Sequence, residues 1–363
     1  MSIPRIAVCL LAGIPLLSAT AVAQDYVAVG SSGVLVGIDA QTGCQTGSLP
    51  AIYGAAQINA MARRPSDGML FFAGAWSAGV IPTLYQVDPA NGYATGPSIP
   101  LTGLPVISIR GMAFDPSGVL FATNFASPYG ELITIDETTG VCTLVGTMGW
   151  GIAVQALAWD EASGHLVGWD PGTAPSPPGP GLIHINPWNG SVVDPSLVDQ
   201  CIDPNEVQGL TFDRDGKLIS VGHAWWVQEL NPATGQVLWT GSCQLTNYSL
   251  RGVEDVRPRT LQMTLEGSCP GQMQVKLRDG TANGQAAVAY SLGNNGFLVP
   301  PGRQCAGTLV QLSAPVTLLG IYGLDAQGAF TSGPLFVPAN ACGSVWVQAI
   351  DLVTCDQTAA LQP

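Results

Sequence analysis

Between residues 25 and 259 the hydrophobic and polar positions fall into two alternating phrases. The first reads aliphatic-x-aliphatic-Asp/Asn and reaches a Gly a few residues later. It occurs as Val36-Gly37-Ile38-Asp39 to Gly43, Tyr85-Gln86-Val87-Asp88 to Gly92, Ile133-Thr134-Ile135-Asp136 to Gly140, Ile183-His184-Ile185-Asn186 to Gly190, and Gln228-Glu229-Leu230-Asn231 to Gly235. Its Asp/Asn positions are spaced by 49, 48, 50 and 45 residues. The second phrase reads polar-small-aliphatic-small-bulky. It occurs as Asn59-Ala60-Met61-Ala62-Arg63, Arg110-Gly111-Met112-Ala113-Phe114, Gln155-Ala156-Leu157-Ala158-Trp159, Gln208-Gly209-Leu210-Thr211-Phe212 and Arg251-Gly252-Val253-Glu254-Asp255. Period-two alternation bounded by Gly turns predicts strands, and alternating small and large residues suit a strand covered on both faces. The second phrase is therefore placed innermost.

A repeat of this length belongs to the blades of a β-propeller. The run Gly111-Met112-Ala113-Phe114-Asp115-Pro116-Ser117-Gly118-Val119-Leu120-Phe121-Ala122 resembles secreted propellers with NHL-like or YVTN-like repeats. That resemblance covers residues 25–259 and is specific for fold, not activity. It implies that each blade opens on the inner-strand phrase and that the Asp/Asn phrase forms its third strand. The chain then begins with second, third and outer strands (26–30, 34–39 and 44–49) and ends the repeats with a lone inner strand, 251–256. Together they make a fifth blade, and joining the ends removes an exposed sheet edge. The expected fold is all-β: a five-bladed propeller over residues 24–259, with an open solenoid or a sixth blade as the alternatives. After Arg259 the period stops. Segments 261–265, 273–277, 286–292, 308–312, 316–322 and 345–349, separated by Gly/Pro turns, predict a small antiparallel β-sandwich domain over 260–363.

Residues 1–23 read as a signal peptide. Arg5 is followed by an apolar run from Ile6 to Leu17 and the small-x-small ending Ala21-Val22-Ala23, placing cleavage before Gln24. The mature chain is expected to be extracellular or periplasmic, without membrane insertion. The formal charge is −13 and only two lysines occur, which disfavours nucleic acid and anionic lipid as partners. Eight cysteines follow the leader: Cys44, Cys142, Cys201, Cys243, Cys269, Cys305, Cys342 and Cys355. In an exported chain they predict disulfides, and neither C-x-x-C nor a Cys/His cluster points to metal. Cys201 with Cys243, Cys269 with Cys305 and Cys342 with Cys355 are the pairings expected, while the partners of Cys44 and Cys142 stay open.

The two Gly turns of a blade emerge on one side of the disc and the unequal loops on the other, where binding is expected. Loop aromatics include Trp150, Trp169 and Trp225, each able to stack on a sugar or to staple its own loop. One polar residue stands at the entry to every inner strand: Asn59, Arg110, Gln155, Gln208 and Arg251. In a closed ring they surround one channel mouth and suit a carboxylate, a sulfate or a hydroxyl-rich ligand, unless they only bond neighbouring backbone. Glu254 and Asp255 replace apolar residues in the closing strand and are the candidate acid and base, with Asp203 or Glu206 as a third carboxylate. His165, His184 and His223 assemble neither a metal cage nor a catalytic relay. Asn231 to Trp239 looks like a quinoprotein repeat, but in one repeat alone, so no cofactor is expected. The leading expectation is a non-enzymatic binder of a glycan or other extracellular polymer. A polysaccharide hydrolase or lyase and an extracellular protein-interaction or matrix scaffold are the alternatives.

Overall fold

The computed structural model describes residues 25–52, 57–74, 81–105, 108–126, 129–172, 181–194, 207–222, 226–245, 249–257, 260–281, 283–325 and 328–363. Its strands in chain order begin with β1 (Tyr26–Gly30), β2 (Leu35–Ile38) and β3 (Gln45–Ser48). Next come β4 (Ile58–Arg63), β5 (Leu70–Gly74), β6 (Thr83–Asp88), β7 (Ala94–Thr95) and β8 (Ile99–Pro100), then β9 (Ile109–Phe114), β10 (Leu120–Ala126), β11 (Tyr129–Ile135) and β12 (Cys142–Trp150). They continue with β13 (Ala156–Asp160), β14 (His165–Asp170), β15 (Gly181–Ile185) and β16 (Val192–Asp194), followed by β17 (Val207–Phe212), β18 (Leu218–Gly222), β19 (Val227–Leu230), β20 (Val237–Thr240) and β21 (Leu250–Asp255). No α-helix occurs among the described residues.

These strands make five antiparallel sheets, in the orders β21-β1-β2-β3, β4-β5-β6-β7 with β8 beside β6, β9-β10-β11-β12, β13-β14-β15-β16, and β17-β18-β19-β20. The first joins the two ends of the repeat region, pairing Tyr26 with Asp255 and Ala28 with Val253. Second strands such as YVAVG, LFFAG and LISVG are buried at every position, whereas the outer β7 is wholly exposed and β20 alternates. This gradient is what an apolar run covered on both faces and an edge strand require.

The sheets are held by five buried clusters, each shared by a different pair. Val29, Leu35, Met61 and Phe72 join the first sheet to the second. Phe71, Leu84, Met112 and Ile133 join the second to the third. Phe121, Leu132, Leu157 and Ile183 join the third to the fourth. Trp169, Leu182, Leu210 and Leu230 join the fourth to the fifth. Tyr26, Val36, Ile219 and Val227 join the fifth back to the first. The inner strands follow the same cyclic order, β4 against β9, β9 against β13, β13 against β17, β17 against β21 and β21 against β4. Each fully buried Phe or Leu contributes about 1.5–3 kcal/mol, so the cohesion between sheets is chiefly hydrophobic.

Small residues in the inner strands permit this approach. A Cβ on Gly209 would lie 2.6 Å from the Gly252 Cα, and one on Gly252 only 2.5 Å from the Met61 Cβ. At the rim the Gly of the Asp/Asn turn does a related job. Gly43, at φ +69°, would place a Cβ 2.6 Å from the Gly241 Cα, and Ser242 donates its amide to the Thr42 carbonyl.

Beyond residue 260 lie β22 (Gln262–Gly267), β23 (Gly271–Arg278), β24 (Gln285–Ser291), β25 (Phe297–Leu298), β26 (Leu309–Val310), β27 (Thr317–Gly323), β28 (Phe330–Thr331), β29 (Leu335–Val337) and β30 (Trp346–Asp351). Two sheets, β22-β23 with β28 and β29 beside β23, and β27-β24-β30, enclose a core of Met263, Val275, Leu277, Val288 and Ala349.

The disulfide pattern corrects every expected pairing. Cys243 bonds Cys44, not Cys201, because the turn carrying Cys44 docks on the chain leaving β20. Cys269 bonds Cys342 and Cys305 bonds Cys355, so the C-terminal bridges join segments distant in sequence. Cys142 is a buried free thiol, and Cys201 lies outside the described residues. Three disulfides fit an extracellular or periplasmic protein. Among the described residues no helix is long and apolar enough to cross a membrane.

Candidate functional site

Four of the five polar entry residues sit on β-bulges. Ile58 and Ala60 pair with Gly74 and Ala73, which leaves Asn59 as the extra residue. Arg110, Gln208 and Arg251 are skipped in the same way, between Ile109 and Gly111, Val207 and Gly209, and Leu250 and Gly252. Gln155 stands just before β13, where its amide bonds the Trp169 carbonyl. A bulge frees one residue from the ladder and re-aims its side chain. Here it turns one polar residue per repeat away from the cores between the sheets.

Three of these side chains form a chain of hydrogen bonds. Arg251 Nη1 donates to Gln208 Oε1 at 2.5 Å, and Gln208 Nε2 donates to Gln155 Oε1. Arg110 lies near enough for its charge to act on Arg251. Burial lowers the pKa of both guanidiniums, and for Arg251 the charge of Arg110 lowers it further. Among the described residues Arg110 has no hydrogen bond or ion pair, and the buried Arg251 Nε has no partner. The structure thus gathers Arg110, Gln155, Gln208 and Arg251, with Asn59 at the matching position of β4.

Because the strands of a sheet alternate in direction, the start of β9 lies at the same end as the start of β11 and the end of β12. Tyr129 and Trp150 are paired there, on the third and outer strands of the sheet, and are 47% and 55% exposed. Trp169 corrects the expectation of a loop aromatic. It is fully buried in β14, wedged between the fourth and fifth sheets. Trp225 lies outside the described residues, as do Asp203 and Glu206.

The candidate acid pair is not a pair of free carboxylates. Both residues lie at the far end of β21, away from the polar entry residues. Asp255 receives Arg257 at 2.6 Å, Arg214 at 3.6 Å, and the backbone amides of Arg214 and Arg257. Burial alone would raise its pKa, but these bonds outweigh burial and hold it below the usual carboxylate range. Arg257 also reaches Asp213 and Asp215, and Tyr26 donates its hydroxyl to Asp213. This network ties the closing strand to the 213–216 turn of the fifth sheet, a structural task. Glu254 faces a cavity of about 470 Å³ at the turn end of the inner strands, with Thr211, Trp159 and Arg63 on its wall and Arg278 and Asp279 across it. Its carboxyl, half-buried on the cavity wall, accepts from Thr211 Oγ1 at 2.9 Å, and burial pushes its pKa up to about 8. Sequence reading passed over Arg257 and this cavity. The one visible signal is the arginine inside Asp213-Arg214-Asp215-Gly216, flanked by two acids. Among the described residues no group of His, Cys, Asp and Glu could hold a metal.

No protein-family model matches the chain, and no curated protein matches it in sequence. Among solved structures it is similar to a nidogen/laminin complex, at 13% identity over 63% of this chain and 97% of that one, with a TM-score of 0.42. It is also similar to Kuenenia stuttgartiensis hydrazine synthase, at 14% identity over 72% and 79% of the two chains and a TM-score of 0.36. A Bacteroides thetaiotaomicron protein of unknown function gives 13% identity over 70% and 68%, with a TM-score of 0.39. At these values the likenesses assign neither a family nor an activity.

Proposed function

We propose that the protein is an exported, non-enzymatic binding protein whose residues 24–259 form a closed five-bladed propeller. Its loop face recognises a glycan or other extracellular polymer, and residues 260–363 form a β-sandwich domain serving as spacer or attachment module. Closure is supported by the five inter-sheet cores in cyclic order, since an open stack of five sheets has four. Export is supported by the leader pattern before Gln24 and by the disulfides.

One observation carries the binding reading: bulges aim a repeated set of polar side chains at one mouth, and the exposed Tyr129 and Trp150 stand at the same end. Amide and guanidinium donors with exposed aromatics at the same end match the hydroxyls and faces of sugar rings. The pair Glu254 and Asp255 supports hydrolysis less well, because Asp255 is held by Arg257 and is not a free partner for Glu254. A glycan-array screen of the mature protein tests the proposal. Binding is expected for the parent and is expected to weaken in Trp150→Ala. Absence of binding across neutral and acidic glycans would overturn the glycan reading and leave a protein partner as the occupant of the loop face.

A further inference from the structure

The chain carries 12 lysines and arginines against 25 acids, so carboxylates are plentiful wherever a cation needs one. Most of the described cations in residues 25–257 have found one. Arg64 pairs with Asp67 and Glu137, Arg214 with Asp255, Lys217 with Glu229, and Arg257 with Asp213, Asp215 and Asp255. Arg63 acts on Glu254. Arg110 and Arg251 are the exceptions. They are half-buried, the charge of Arg110 acts on Arg251, and among the described residues no carboxylate acts on either. Bringing two guanidiniums together out of water without a counter-charge is costly in an acidic protein that could have supplied one.

Their geometry shows what would offset that cost. Gln208 occupies only one guanidinium nitrogen of Arg251, the buried Nε is unpaired, and the whole fork of Arg110 is unused among the described residues. Gln155 and Gln208 are bonded to each other, which fixes the Arg251 side of the mouth. Unused donors on planar forks, held by bulges rather than by flexible loops, form a seat for an oxyanion.

We infer that Arg110 and Arg251 form an oxyanion seat at the mouth of the inner-strand ring, which takes a carboxylate or sulfate group borne on an extracellular polymer. The polymer rests on the proposed loop-face function; the seat does not. An acidic sugar unit would place its oxyanion between the two guanidiniums and its ring toward Tyr129 and Trp150. Neutral glycans of the same backbone bind more weakly, since they leave the two positive charges uncompensated.

The test uses the mature, disulfide-intact protein, Arg110→Ala, Arg251→Ala and the charge-conserving Arg251→Lys. Calorimetric titration with tetragalacturonate, a sulfated tetrasaccharide and a neutral tetrasaccharide is run beside thermal melts in sodium acetate or sodium sulfate at constant ionic strength. Acidic oligomers are expected to bind at least about tenfold more tightly than the neutral one, with that margin lost in both Ala variants and partly kept in Arg251→Lys. Free oxyanions are expected to raise the melting temperature of the parent by more than that of the Ala variants, which show only the general salt effect. Without anion the Ala variants should melt no lower than the parent, since each removes an unpaired charge; a lower melting temperature in both, with no anion effect on the parent, would make these arginines structural and overturn the seat. If free anions stabilise the parent but no oligomer binds, the seat stands and the polymer-binding function falls. If neutral and acidic oligomers bind equally and the arginine variants bind like the parent, the function stands and the seat is overturned.

Discussion

At the scale of single residues, this protein separates charges that fasten it from a charge it keeps out of water at a cost. Asp213, Asp255 and Arg257 are buried or nearly so and satisfy one another, with Tyr26 donating to Asp213 and lying 5.6 Å beneath the Arg257 guanidinium. For Glu254, one position from Asp255, the Thr211 hydroxyl and Arg63 oppose burial but do not outweigh it, and burial pushes its pKa up to about 8. The sign of its contribution follows from linkage. Between its ordinary value of 4.5 and about 8 the folded state binds the proton and the unfolded state does not, so stability falls as pH rises through that window and levels off above it. Glu254→Gln should remove that fall. Urea midpoints at about pH 5 and about pH 9 should diverge in the parent and stay closer together in the variant, making Glu254→Gln the more stable protein at the higher pH. Asp170, also raised by burial, is present in both and cancels in the comparison. Parallel pH curves would show that Glu254 is ionised in the folded protein.

At the scale of the element, four of the five inner strands combine a polar entry residue that the ladder skips with a small residue that lets the next inner strand approach. The polar-small-aliphatic-small-bulky phrase revealed the strand and its polar residue, because alternation and composition survive in the chain. It did not reveal the bulge, which is an irregularity between two strands and has no signature within one of them. The same limit explains Trp169. Its place after the fourth inner strand suggested a loop, yet β14 runs on to Asp170 and the indole fills the boundary between two sheets. The small residue has a direct test. Gly209→Ala would drive a methyl into the Gly252 backbone at 2.6 Å, and the inner strands would have to part. A loss of about 1–3 kcal/mol is expected in chemical denaturation, as for overpacked cores. Gly47→Ala on the outer β3 meets nothing within 4 Å, and its effect should stay within about 0.5 kcal/mol. Equal effects at the two sites would reject close inner-strand packing as the reason for glycine.

At the scale of the whole molecule, the two ends of the repeat region meet at one seam and are fastened there by three unlike devices. β1 pairs with β21, the Arg257 network spans from the closing strand to the 213–216 turn, and Cys44 bonds Cys243 with their Cα atoms 4.9 Å apart. The strand pairing was legible, since an orphan inner strand at one end answered a missing one at the other. The disulfide was not read from the sequence, although the same closure implies it. Once the fifth sheet abuts the first, the outer turn at Cys44 meets the segment leaving β20, which contains Cys243, and this contact between distant parts of the chain leaves no mark in the spacing of the cysteines. The bridge spans 199 residues against separations of 73 and 50 for the C-terminal bridges, so it restricts the unfolded chain more than either, by about 1 kcal/mol, since the gain grows slowly with loop length. Cys44→Ser with Cys243→Ser should therefore lower unfolding stability by about 2–5 kcal/mol while β1–β21 pairing and the arginine network keep the fold. Denaturant midpoints with circular dichroism of the native state measure both parts of that expectation. A large loss of stability with an unchanged native spectrum would place the disulfide's effect chiefly in the unfolded chain. A loss of the spectrum itself would mean that strand pairing and ion pairs cannot hold the seam without the bond. An unchanged midpoint would show that the seam needs no covalent fastening.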